Sequence, residues 1–273
     1  MKIRIHDDFD LAAIASSGQC FRWQQTSPDL WRIIHRGECL YISRTGDGEY
    51  QADCDEETFE RVWRSYFDLD ECYSRIRQMA DKERDPFLFH AAQVGKGIRI
   101  LRQDPWEVTV SFIISQNRNI PAIIRSVEQL CQAAGERRID SRGLLYHTFP
   151  GPEAIAEISA EDLAGCRLGY RDKYVSATAL AALEGRFTPE EMKDLPDDKL
   201  IERLMSLYGV GKKVAGCIAL FGFHRLDSFP VDTWIRKALA ARYPEGFPYE
   251  SYRPYGGVFQ QYIFACCRNE GLV

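Results

Sequence analysis

Apolar and polar positions between residues 19 and 53 follow the pattern of an antiparallel meander. Three stretches, 19–23, 30–34 and 39–43, are rich in aromatic and β-branched residues. Turn chemistry separates them at Ser27-Pro28-Asp29, Arg36-Gly37 and Gly46-Asp47-Gly48. After Asp55 the period changes: Phe59, Val62, Trp63 and Tyr66 fall on one face of a helix. From about residue 98 onward the pattern is almost wholly helical. Asp104-Pro105-Trp106-Glu107 reads as a helix start, with Asp as N-cap, Pro at the first helical position and Glu completing a capping box. Trp106, Val110 and Ile113 continue it as an apolar stripe, and Thr188-Pro189-Glu190-Glu191 repeats the start signature. Leu200, Leu204 and Leu207 stripe another helix that stops at Tyr208-Gly209. The pattern predicts an α+β protein. A small N-terminal antiparallel β-sheet domain with flanking helices covers residues 1–95, and a mainly α-helical domain covers 96–273, with a helical hairpin at about 197–222.

Composition narrows the function classes. The chain has 273 residues, 45% hydrophobic and 27% charged, enough to bury a core without covalent staples. No apolar run reaches the ~18 residues of a membrane span, and the N-terminus has no secretory apolar core. Nine cysteines, none in a C-x-x-C spacing, read as reduced thiols of a cytoplasmic protein. The net charge of -5 argues mildly against nucleic acid as a partner, but the charge is uneven. Residues 1–85 hold 12 basic against 18 acidic side chains, and the remainder is nearly neutral, which leaves room for a local basic face.

The segment richest in chemistry is Leu207-Tyr208-Gly209-Val210-Gly211-Lys212-Lys213-Val214. A helix ends, two glycines make a tight turn, and a second helix begins at once. The start of that helix offers unpaired N–H groups and a positive dipole end, an anion site that suits a DNA phosphate. Lys212 and Lys213 sit in its first turn, where the dipole and mutual repulsion disfavour their charge; this is one route to a nucleophilic amine. Asp232, after Phe229-Pro230-Val231, stands near the start of a further helix. Taken singly, each feature has a plainer reading: a connecting turn, solvated lysines, an ordinary N-cap. The combination is more specific.

With these blocks in view the sequence resembles the helix-hairpin-helix DNA glycosylase superfamily, and within it the 8-oxoguanine DNA glycosylases of bacterial type. The resemblance also rests on Ser17-Gly18-Gln19-Cys20-Phe21-Arg22-Trp23, on the stretch 101–107 leading into 111–120, on Leu168-Gly169-Tyr170-Arg171-Asp172-Lys173-Tyr174, and on 256–264. These blocks keep the family's order and span most of the chain.

The resemblance implies a bifunctional glycosylase and AP lyase acting on double-stranded DNA that contains 8-oxoguanine. It places the nucleophile at Lys213, with Lys212 as the alternative, and gives Asp232 the role of stabilising positive charge at C1′. Because the base must leave the duplex, Asn117 is implied to fill the vacated space, Tyr170 to wedge into the stack and Arg171 to read the orphaned cytosine. Gly18, Gln260, Phe264 and Cys217 are implied to receive the extruded base, the Gly18 carbonyl accepting from N7–H. Gly209 and Gly211 are implied to shape the phosphate-binding hairpin, and Trp234 either faces the phosphate next to the lesion, as the resemblance implies, or is a packed aromatic. Carbonyls of Met205, Leu207 and Val210 are implied ligands of a monovalent cation.

Two departures matter. Family members known from eukaryotes carry a second cytosine-reading arginine where this chain has Ala122, which implies weaker preference for cytosine opposite the lesion. The cysteine quartet of the iron–sulfur branches is missing, so no iron–sulfur cluster and no required cofactor is expected. A monomer, cytoplasmic and nucleoid-associated, with no membrane partner, is the expectation. A glycosylase for another damaged base, or a non-catalytic helix-hairpin-helix DNA-binding module, are the competing functions. Val94-Gly95-Lys96-Gly97 lacks the spacing of a phosphate-binding P-loop.

Overall fold

The computed structural model describes residues 1–271; Leu272 and Val273, the end of the 96–273 domain, lie outside the described residues. Strands β1 (Lys2–Arg4), β2 (Trp23–Ser27), β3 (Leu30–His35), β4 (Glu38–Gly46) and β5 (Glu49–Ala52) form an antiparallel sheet in the order β1-β5-β4-β3-β2. Ile33 stands opposite both Trp23 and Leu40, so the register puts large apolar side chains on one face. That face meets Phe59, Trp63 and Tyr66, the stripe expected after Asp55. Asp55 caps this run by accepting the Thr58 N–H at 2.7 Å, and a π-helical turn at Phe59–Trp63 interrupts it.

The meander begins later than its pattern suggests. Residues 19–22 form a loop, because Gln19 is engaged elsewhere: its amide donates to Ser17 Oγ and to the Arg99 carbonyl, and its Oε1 accepts from the Leu101 N–H, each at 2.8 Å. Strand β1, only three residues long, was not legible as a strand. The region beyond residue 98 also contains a hairpin of β6 (Arg137–Ile139) and β7 (Leu145–His147). Its anchors are long-range contacts with no local signature: Asp140 accepts from Tyr41 Oη, and Tyr146 Oη donates to the Gly37 carbonyl.

The helical part buries a second and larger core around the Lys212–Phe221 helix, whose residues from Val214 to Phe221 are all buried. Each large apolar side chain fully buried there contributes about 1.5–3 kcal/mol. Helices Tyr73–Arg77 and Pro86–Val94, which the pattern groups with the sheet, contribute Tyr73, Ile76, Leu88 and Ala91 to this second core. Gly95 allows the close approach: a Cβ there would lie 2.3 Å from the Tyr262 ring on the Gly256–Glu270 helix. At the Pro105–Ser115 helix the cap is made by Asp104, which accepts from the Trp106 and Glu107 N–H groups. The expected capping box is only half present. Burial pushes the Glu107 carboxyl up to about 7, with the nearby Arg22 charge opposing that rise.

A polar seam joins the two cores. Arg99 is fully buried and uses all five of its N–H donors, on the carbonyls of Phe67, Asp8, Asp68 and Glu71 and on the Asp7 carboxylate. Next to it Asp68 accepts from Tyr73 Oη and Arg102 Nε and pairs with His224 at 3.2 Å. Burial works against the Asp68 charge, but hydrogen bonds and charges from His224 and Arg102 outweigh it and hold the carboxyl at about 2. Replacing Arg99→Met strands these acceptors and should lower unfolding stability by about 3 kcal/mol or more, read from urea midpoints. Because the folded pKa of Asp68 is depressed, its contribution is complete above about pH 4 and fades as pH falls towards 2. The stability gap between wild type and Asp68→Asn should therefore narrow between pH 5 and pH 2.5; a gap that stays constant contradicts the assignment.

Candidate active site

The hairpin is built from two helices, Asp197–Met205 and Lys212–Phe221. Gly209 makes the turn with φ +83°, and a Cβ there would lie 2.5 Å from the Tyr174 ring. Gly211 caps the second helix, and nothing lies within 4 Å of the position its Cβ would take. The first N–H groups of that helix therefore open to solvent beside a backbone that a phosphate can approach.

Lys213 follows in the first turn, exposed, with Nζ 5.7 Å from the centre of the Phe112 ring. Cys217 lies one turn further along and is buried. Burial pushes its thiol up, while Lys213 works against that rise and Asp232 adds to it. Both charged groups therefore act on one thiol. Two contacts bring Asp232 to this place. Ser228 Oγ donates to the Gly216 carbonyl at 3.0 Å, and a Cβ on Gly216 would meet Pro230 at 3.4 Å, so the segment 228–232 runs along the hairpin's second helix. From the other side the Gly257 N–H donates to the Leu226 carbonyl at 2.7 Å, and a Cβ at Gly257 would lie 2.4 Å from the Ser228 carbonyl oxygen. Asp232 then caps the Thr233–Arg242 helix by accepting the Ile235 N–H at 2.8 Å.

Lys213 and Asp232 share the wall of a cleft of about 1040 Å³. Asn117, Tyr170, Gly211, Trp234 and Phe264 line it as well, from five different segments of the chain. Trp234 is 41% exposed, so it is a surface group of the cleft rather than a packed core aromatic. Gly18, at φ +78°, stands behind Phe264; a Cβ there would lie 3.6 Å from that ring. Gln260 is buried one turn before Phe264, its Oε1 accepting from Gln261 Nε2 at 2.9 Å, and it lies outside the wall of the cleft, as does Cys217. Met205, Leu207 and Val210 lie on the hairpin away from the cleft wall.

Arg171 is placed differently from its expected role. It is 5% exposed and donates to the carbonyls of Gln116, Leu168 and Asn117. In this structure its guanidinium is committed to backbone, not presented to a base edge.

The fold agrees with what comparison shows. Residues 2–109 match the model for the 8-oxoguanine DNA glycosylase N-terminal domain, and residues 110–244 match the model for HhH-GPD superfamily base excision DNA repair proteins. The chain belongs to the 8-oxoguanine DNA glycosylases of the HhH-GPD superfamily. The structure of MBOgg1 with a low-affinity DNA ligand is 33% identical, with a TM-score of 0.92 over 99% of this chain and 96% of that one. The Clostridium acetobutylicum 8-oxoguanine glycosylase/lyase, solved with double-stranded DNA containing cytosine opposite 8-oxoguanine, is 33% identical, with a TM-score of 0.90 over 99% and 98%. The probable N-glycosylase/DNA lyase of Methanothermobacter thermautotrophicus is 28% identical over 97% of this chain and 96% of its own. This chain is accordingly an N-glycosylase/DNA lyase of base excision repair. Among the described residues no helix is long and apolar enough to cross a membrane.

Sequence reasoning missed several groups of this glycosylase's cleft. Arg118, Arg236 and Arg268 join Lys212 and Lys213 in its wall, where Asp232 is the one acidic residue. The cleft is strongly basic within a chain of net charge -5. Spacing offered a faint signal, since Arg236 lies one turn past the Asp232 cap and Arg268 one turn past Phe264.

Because Asp232 is both cap and cleft carboxylate, two substitutions separate its roles. Asp232→Ala should cost about 1 kcal/mol of stability as well as activity, whereas Asp232→Asn keeps the cap and should lose activity alone. Urea denaturation beside a strand-nicking assay checks this; equal destabilisation by both contradicts the capping geometry.

Proposed function

We propose that this glycosylase excises 8-oxoguanine from duplex DNA through attack of the Lys213 amine on C1′ of a flipped nucleotide. The observation that carries the reading is the pairing of Lys213 and Asp232 at two helix starts across one basic cleft. The amine's lone pair forms the N–C1′ bond as the bond to the base breaks and its electrons leave with the base. Asp232 offsets the positive charge that develops at C1′. Opening of the sugar ring then yields a Schiff base. Loss of a proton from C2′ expels the 3′ phosphate by β-elimination, which nicks the strand.

For the extruded base, Phe264 offers one face and the buried Cys217 the other. The Gly18 carbonyl is the acceptor that distinguishes the N7–H of 8-oxoguanine from the bare N7 of guanine. Gln260, able to donate and accept, suits the Watson–Crick edge once its bond to Gln261 is exchanged. Asn117 and the half-exposed Tyr170 fit the plug and wedge that flipping requires. Trp234 can donate its indole N–H to the phosphate beside the lesion.

The hairpin carbonyls also fit a monovalent cation. Met205 ends its helix, so its carbonyl is one of those without an intrahelical partner, and the Leu207 carbonyl spends only one lone pair on the Val210 N–H. With the Val210 carbonyl these are neutral oxygens, which suit an ion of single charge, and such an ion would add positive potential for a DNA phosphate. The reading is completed by a monomer working in the cytoplasm beside the nucleoid; the nine free thiols suit a reducing environment.

Single-turnover excision from 8-oxoguanine duplexes tests this. Wild type should release the base, and Lys213→Gln should abolish release while leaving duplex binding. With alanine at position 122 and Arg171 tied to backbone, rates opposite cytosine and adenine should be comparable; a preference of several hundredfold for cytosine contradicts this. Affinity should fall steeply between about 50 and 200 mM salt, since the cleft's cations displace counterions from phosphates.

A further inference from the structure

The Gly256–Glu270 helix serves two surfaces. Phe264 and Arg268, one turn apart, line the basic cleft. Cys266 and Glu270, also one turn apart, sit two residues further on, about 200° round the helix, and meet the Pro86–Val94 helix instead. His90 of that helix completes the group. Its Nε2 lies 2.7 Å from Glu270 Oε1, and Cys266 Sγ donates to Glu270 Oε2 at 3.6 Å. One donor atom from each of the three residues lies within 4.8 Å of the other two. Gly95 packs against Tyr262 between the same two helices, so regular, closely packed elements hold the three groups together.

One imidazole, one thiol and one carboxylate are the donor types of a zinc site that keeps a fourth position for water. With bonds of about 2.0–2.3 Å, the edges of a tetrahedral site measure roughly 3.3–3.6 Å. The sulfur–oxygen contact already has that length. The nitrogen–oxygen contact is a hydrogen bond, which lengthens by about half an ångström when a metal takes the place of its proton. The Cys266 thiol is free and wholly buried, whereas His90 is exposed, so an ion here is shielded on its sulfur side and reached from the imidazole side. His90 and Glu270 also line a second cleft, of about 1030 Å³. Its wall holds the carboxylates of Asp81, Asp85, Glu245 and Glu270 against the two arginines Arg84 and Arg242. That excess of acid favours a cation, the reverse of the cleft that holds Lys213.

We propose that His90, Cys266 and Glu270 bind one zinc-type divalent cation, with water from the acidic cleft as the fourth ligand, and that the ion clamps the Gly256–Glu270 helix to the Pro86–Val94 helix. A thiolate and a carboxylate balance the charge of a divalent ion, and the neutral imidazole adds none. The sulfur and nitrogen donors select zinc over magnesium or calcium, which prefer oxygen. The ion takes no part in excision. It fixes the helix whose opposite face presents Phe264 and Arg268.

The test titrates the reduced, chelator-treated full chain with Co²⁺ and then Zn²⁺. Wild type should take up a single Co²⁺, showing a thiolate-to-cobalt charge-transfer band and the visible bands of tetrahedral coordination, and Zn²⁺ should bleach both. Zn²⁺ at about a hundredfold over its dissociation constant should raise the Tm by about 5 °C. Losing a ligand costs at least as much as losing a ligand's supporting partner, so His90→Gln and Glu270→Gln should weaken binding by about tenfold or more. Cys266→Ser should remove the charge-transfer band. His90 and Glu270 are exposed, so their variants keep the test open if Cys266→Ser folds poorly. The other eight cysteines are also free, so the variants decide the site rather than the wild-type band alone. Absence of cobalt bands in wild type, or bands and affinity unchanged in His90→Gln, would overturn the site. Binding that leaves the Tm where it was would overturn the clamp.

Discussion

The segment 226–232 is held between two helices at glycines, and the site depends on that clamp. Gly257 leaves no room for a side chain, so there backbone lies directly on backbone, and on the other side Gly216 lies within van der Waals reach of Pro230. The segment leaves the clamp at a set point, and the helix it feeds must begin at Asp232. The hairpin's own glycines fix where the other helix begins. Two positive helix ends therefore face one cleft, one carrying an amine and the other a carboxylate. Moving the contact at Gly257 by the width of a methyl group would shift the carboxylate relative to the amine, and misplacements of about 1 Å are costly in catalysis.

The electrostatics follow from the same geometry. A chain with net charge -5 would repel DNA if its charge were spread evenly. Five basic side chains, Arg118, Lys212, Lys213, Arg236 and Arg268, are instead gathered from four segments into the cleft wall, with Asp232 as the acid among them. Much of the acid excess lies in the first 85 residues, and part of it is consumed internally: Asp7, Asp8 and Asp68 are paired with Arg99, Arg77 and Arg102. That seam joins the sheet domain to the helical one. It also anchors Gln19, and through it Gly18, beside Phe264. A pocket assembled from both domains can be selective for one base only if the junction does not slide, and a fully satisfied buried network is a means of preventing that.

What could be read in advance was local. The hairpin was legible because Gly209 and Gly211 bracket a helix end and a helix start within a few residues. The stripe at Phe59, Trp63 and Tyr66 was legible because its period survives a π-helical turn. What escaped was non-local or compensated. Arg99 reaches Asp7 across 92 residues, and nothing near either residue announces the partner. The hairpin at 137–147 is anchored through its own Asp140 and Tyr146 to Tyr41 and Gly37, about a hundred residues earlier in the chain. Glu107 occupies the capping-box position but is half-buried and does not close the box. Arg171 shows the limit most clearly: the block around it matches the family, yet its guanidinium is spent on the Asn117 loop, which no spacing rule reveals. Identity of residues carried the family; the use made of each residue required the fold.

The central claim is that Lys213 becomes covalently joined to the sugar. Borohydride trapping tests it most directly. The protein is mixed with a duplex carrying 8-oxoguanine opposite cytosine, reduced, and digested, and the cross-linked peptide is identified by mass. The account predicts a covalent adduct on Lys213, retained in Lys212→Gln and lost in Lys213→Gln. An adduct on Lys212, or release of the base with no adduct at all, would contradict it.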